Sequence, residues 1–132
     1  MDINYFAVLA ATVSAFVLGG LWYSPLFLYR PWLRANGFTE ADVQKGNPAT
    51  IFGLAFVFSL AMAANLAAFL AGPGTTAAWG TAAGALTGFG WVAPAIGVVA
   101  LFERRPWSYI LVNGGYWGVA LTMMGAIIGA WR

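Results

Sequence analysis

Three short runs carry most of the chemical character of this chain: Trp22-Tyr23-Ser24-Pro25, Trp91-Val92-Ala93-Pro94 and Asn113-Gly114-Gly115-Tyr116-Trp117. Tryptophan, tyrosine, serine and asparagine donate hydrogen bonds and offer ring faces, but none is a base near neutrality. Histidine and cysteine are absent, which removes the commonest metal ligand, thiolate chemistry and disulfides. Glu103 is a single carboxylate at a span edge and has no partner for acid–base work. No catalytic, metal or cofactor-binding residue is therefore expected, which argues against an enzyme. What these residue types can build is a polar, aromatic-walled cavity lined by Trp22, Ser24, Pro25, Trp91, Pro94, Asn113, Tyr116 and Trp117. The competing reading is a pair of satisfied proline kinks with tryptophans packed against glycines. A proline inside a helix frees the carbonyl four residues back, here Leu21 and Gly90, and in lipid that oxygen must find a donor.

The elements that would position these residues follow from composition. Of the 132 residues 61% are hydrophobic and only 8% charged, with a mean hydropathy of +0.78, so the solvent for most of the chain is lipid. An all-α membrane protein of four transmembrane helices in a compact bundle is expected, with spans at about 3–24, 48–71, 76–102 and 106–131. With Asp2 as the only charge before Arg30, the first span lacks the positive flank of a cleaved signal and reads as an anchor. Between the first two spans lies the main polar loop, residues 25–47. Within it Thr39, followed by Glu40 and Asp42, signals a short surface helix, and Asn47-Pro48 reads as the cap and first residue of the next span. Gly72-Pro73-Gly74 is too short a link for anything but an antiparallel hairpin. Close helix packing is marked by Gly19, by the run Gly80, Gly84, Gly88, and by Gly114, Gly118, Gly125 and Gly129. Asn65 in the second span reads as an interhelical hydrogen bond.

The second half of the chain echoes the first. Aligning Pro25 with Pro94 places Trp22 on Trp91 and Gly19 on Gly88, so the two halves read as possible repeated helix pairs. The six basic residues are too few for a nucleic-acid surface. Their placement sets orientation: Arg30, Arg34, Lys45, Arg104 and Arg105 fall in the first and third loops and only Arg132 on the other side. That puts loops 25–47 and 102–106 in the cytoplasm and both termini outside.

The run Gly20-Leu21-Trp22-Tyr23-Ser24-Pro25-Leu26, the following Trp32 and Gly37, and Asn113-x-Gly115-Tyr116-Trp117 with Met124-Gly125 resemble the small bacterial membrane proteins grouped as domain of unknown function 1761. The resemblance spans essentially the whole chain. It implies four membrane helices in the bacterial cytoplasmic membrane and supplies no reaction. The roles left to such a chain are a homo-oligomeric or accessory module, with lipid and other membrane proteins as partners, or a passive carrier or channel for a small solute, with a membrane enzyme ranked last. Reporter fusions at Gly72 and at the C-terminus are expected to signal an external location, and a cytoplasmic signal from either would reverse the orientation.

Overall fold

The computed structural model describes residues 2–132. Helix α1 (Tyr5–Trp22) opens with Asn4, whose side chain accepts from the amides of Phe6 and Ala7. The polar loop then forms two helices, α2 (Tyr29–Asn36) and α3 (Glu40–Gln44), and α4 (Pro48–Phe69) follows behind the Asn47 cap. Helix α5 (Ala77–Thr87), a π turn (Gly88–Val92) and α6 (Ala93–Phe102) run on as one span, and α7 (Trp107–Ala130) closes the chain. Among the described residues four helices, residues 5–22, 48–69, 77–102 and 107–130, are long and apolar enough to cross a bilayer.

Only one loop helix was expected. It is α3, where Thr39 and Asp42 cap each other and the Thr39 amide and hydroxyl hold the Asp42 carboxyl below its ordinary range. The second, α2, forms because the loop supplies its own stop: Gly37 takes a left-handed φ of 67°, its amide donates to the Arg34 carbonyl and the Phe38 amide to that of Leu33. Its buried Ala35 and half-buried Trp32 lie inward, while Arg30 and Arg34 stay exposed.

Helix α7 is the hub. It packs against α1, α5, α6, the π turn, α2 and, more lightly, α4. Small residues face inward and large ones outward: Ala11, Ala15, Ala63 and Ala120 have no exposure, whereas Phe102 is 88% and Trp91 78% exposed. An apolar outer surface of this kind belongs in hydrocarbon. The tightest contact runs between α5 and α7 in antiparallel register. A Cβ on Gly84 would land on the Leu121 carbonyl oxygen, one on Gly80 on that of Gly125, and one on Gly88 would come within 2.8 Å of the Gly118 Cα. Backbones this close tolerate no side chain.

The tryptophan half of the internal echo fails. Trp22 lies three residues beyond Gly19 on one α-helical face and turns toward α7. Trp91 lies three beyond Gly88, but inside the π turn, where Ala93 donates to the Gly88 carbonyl five residues back. The wider turn takes up about one extra residue and rotates Trp91 off the face that Gly88 shares with α7. Gly84→Ala is expected to destabilise the bundle by about 1–3 kcal/mol, whereas Gly53→Ala, whose Cβ would meet nothing within 4 Å, should leave it as stable or more so. Unfolding in detergent followed by circular dichroism distinguishes the two.

Candidate functional site

At the end of the bundle that carries the basic loops, the chain leaving α1 is tied to α7. Pro25 offers no amide, and the Leu21 carbonyl it frees accepts instead from the Ser24 hydroxyl at 2.7 Å and the Ser24 amide at 3.3 Å. The turn that follows closes on itself: Leu28 donates to Trp22, and Phe27 and Tyr29 donate to Ser24. With the backbone thus satisfied, the side chains of residues 22 and 23 are free to reach across.

Trp22 donates its indole N–H to the Val112 carbonyl at 3.0 Å. Tyr23 donates its hydroxyl to Asn113 Oδ1 at 2.8 Å, and the Asn113 amide donates in turn to the Tyr109 carbonyl at 3.0 Å. Tyr116 reaches the other way and donates to the Ala15 carbonyl at 2.6 Å. Two glycines admit the rings. A Cβ on Gly115 would stand 3.2 Å from the Trp22 ring, and one on Gly19 3.3 Å from the Tyr116 hydroxyl. Ring contacts then extend the cluster: Tyr116 lies 5.3 Å from Tyr23, 6.3 Å from Trp22 and 5.0 Å from Trp117, and Tyr23 leads through Trp32 to Phe38.

Of the residues singled out from the sequence, Trp22, Asn113, Tyr116 and Trp117 come together, with Ser24 beside them closing the turn. Pro25 is exposed at that turn. Trp91 and Pro94 do not join, since both are exposed on the lipid side of the α5–α6 span. Trp91 instead lines a shallow outer groove with Val92, Ala95, Ile96, Val99 and Tyr109. Asn65 faces outward, and among the described residues it makes no hydrogen bond, contrary to the interhelical bond expected of it. The member that residue type and spacing passed over is Tyr23. It stands in the same run as Trp22, and Asn113, Tyr116 and Trp117 at i, i+3 and i+4 mark the helix face it meets.

Trp22, Tyr23, Asn113 and Tyr116 each donate to an acceptor, and among the described residues no buried side-chain nitrogen or oxygen is left without a partner. The arrangement is a lock between α1 and α7, built of hydrogen bonds in a low-dielectric setting and filled with rings. A profile described as "Protein of unknown function (DUF1761)" matches residues 6–129. The chain belongs to the DUF1761 family. No curated protein and no solved structure matches it. In this DUF1761 protein the matched stretch contains both sides of the lock. Hydrogen bonds between membrane helices couple at about 0.6 kcal/mol on average and up to about 1.7. A double-mutant cycle of Tyr23→Phe and Asn113→Ala, read by unfolding in detergent, is expected to give a coupling in that range, and additive effects would mean that the bond contributes nothing.

Proposed function

We propose that the protein is a non-enzymatic helical module of the bacterial cytoplasmic membrane that works as a homo-oligomer, its basic loops on the cytoplasmic side. The observation that carries this reading is Asn65. It projects from the exposed side of α4, beside the exposed Phe58, Ala61 and Ala64, and no group of its own chain satisfies it. An amide facing hydrocarbon is unfavourable until it finds a partner. Ala61 and Ala64, the small residues beside it, let a second backbone approach, and an asparagine is self-complementary, each amide giving one N–H and taking another. About a two-fold axis along the membrane normal, Asn65 meets its own copy.

Two further features support the reading. The glycine seams, which the sequence offered as contact faces, are occupied inside the chain by α5 and α7, so α4 is the helix with a face to spare. The lock's donors are engaged, three by backbone carbonyls and Tyr23 by Asn113, and no carboxylate or other base stands within it, which disfavours both a proton-coupled carrier and a hydrolytic enzyme. Mass measurement in lipid nanodiscs is expected to show more than one copy for the wild type. Asn65→Leu should weaken association about 3- to 30-fold, the equivalent of ~0.6–2 kcal/mol. A wild type that stays monomeric at high protein-to-lipid ratio, or an Asn65→Leu variant that associates as well, would overturn the reading.

A further inference from the structure

The outer groove between α6 and α7 has a volume of about 460 Å³ and is lined by Trp91, Val92, Ala95, Ile96, Val99 and Tyr109. From Val99 to Trp91 it follows the helix for about 12 Å at ~1.5 Å per residue, from the basic end of the bundle toward the middle of the span. Four of its six lining residues are wholly apolar, and it opens sideways to the lipid-facing surface. Of the two lining residues with a polar group, Trp91 and Tyr109, the second leads to charge: the Arg105 guanidinium stands 5.5 Å from the centre of the Tyr109 ring. Neither Arg105 nor Arg104 has an anionic partner, since among the described residues the one ion pair is Lys45 with Asp42, and Glu103 reaches neither arginine.

The backbone at this mouth is unusual for its sequence. Helix α6 ends with Arg104 donating to Leu101 and Arg105 to Ala100, the same pair of returning amides that ends α2. In α2 the left-handed position is filled by Gly37, but here it is filled by Arg104 at a φ of 59°. A side chain is carried where glycine fits without strain. Arg104 and Arg105 are consecutive and both exposed at the basic end of the bundle, and Arg105 stands over Tyr109 at the open end of the groove.

We infer that this groove is a binding site for an anionic phospholipid of the bilayer, one acyl chain lying along Trp91, Ala95 and Val99 and the phosphate held by Arg104 and Arg105. Guanidinium groups suit phosphate because their planar donors match its oxygens, and an interfacial arginine adds attraction for an acidic headgroup. The site is independent of the α4 face, so its success or failure says nothing about the oligomer.

Native mass spectrometry of the micelle-extracted protein, titrated with phosphatidylglycerol or with phosphatidylcholine of the same chains, tests it. The wild type is expected to retain phosphatidylglycerol preferentially. Loss of each arginine should lower that retention about fivefold, using Arg104→Gly, which relieves the left-handed backbone, and Arg105→Gln, at an exposed position. Ala95→Trp, which fills the groove and leaves both arginines, should abolish retention of either lipid, whereas Arg34→Gln in α2 should change nothing. Equal retention of the two lipids by the wild type, an undiminished preference in the double arginine variant, or an equal loss in Arg34→Gln would overturn the proposal. The arginine variants lie outside the packed bundle, so they decide the matter even where Ala95→Trp fails to fold.

Discussion

Backbone-to-backbone contact between α5 and α7 is the constraint on which the rest of the structure depends. In hydrocarbon, lipid tails solvate leucine as well as another helix does, so association rests on close packing and hydrogen bonds rather than on burial of apolar surface. Gly80, Gly84 and Gly88 on one helix and Gly118, Gly125 and Gly129 on the other remove the side chains that would hold the axes apart. Once α5 lies on α7, the large residues of the span have nowhere to go but outward, and the core is left to alanines together with Val8, Leu66, Leu70 and, from α7, Tyr116, Leu121, Met124 and Ile128. The π turn belongs to the same constraint. It falls directly before Pro94, where a regular ladder would break, and it lets α6 continue along α7 with Ala93 against Gly114.

The second fastening is of a different kind. Helix α1 packs against α7 with Ala11 and Ala15 in the shared core, and its end is held by the bonds of Trp22, Tyr23 and Tyr116. At the opposite end the attachments are slighter. Asn4 donates to the Trp131 carbonyl at 3.4 Å and Arg132 donates to the carbonyls of Gly72 and Thr75, tying the termini to the short second link. Helix α4 has none of these bonds beyond its own cap and leans mainly on α1. The molecule is thus tightest around α7 and most open along α4 and the outer side of α6. Those two surfaces are the ones left to meet a second protein and a lipid.

How much of this could be read from the chain varies with the physics. Span number, the asparagine and threonine caps and the glycine faces are local properties, and they appear in the letters as periodicity and as Asn47-Pro48 or Thr39-x-x-Asp42. Which face meets which is not local. The Gly84 spacing marks a seam without naming α7 as its partner, and so leaves open whether the seam serves the chain itself or a second copy. Asn113 and Tyr116 share a face by spacing, but that Tyr23 is the residue opposite depends on how α1 is rotated about its axis 90 positions away. Trp91 does not sit where the alignment of Pro25 with Pro94 puts it, because that alignment assumes the same turn in both copies and the second contains the π turn Gly88–Val92. The hint was present in Pro94, whose missing N–H favours a local departure from the α ladder. Helix α2 went unread because Pro31 and two arginines look like loop, and only the Gly37 stop argues otherwise.

The central claim is that glycines of α5 and α7 touch through their backbones. Solid-state NMR on protein labelled with ¹³C only at glycine and reconstituted in bilayers reports this contact directly, because the pairs in question are far apart in sequence. The expected spectrum contains Cα–Cα correlations joining Gly80 to Gly125 and Gly129, Gly84 to Gly125, and Gly88 to Gly118, persisting when the labelled protein is diluted with unlabelled protein. A spectrum without them, or one whose correlations vanish on dilution because they arise between copies, would contradict the account.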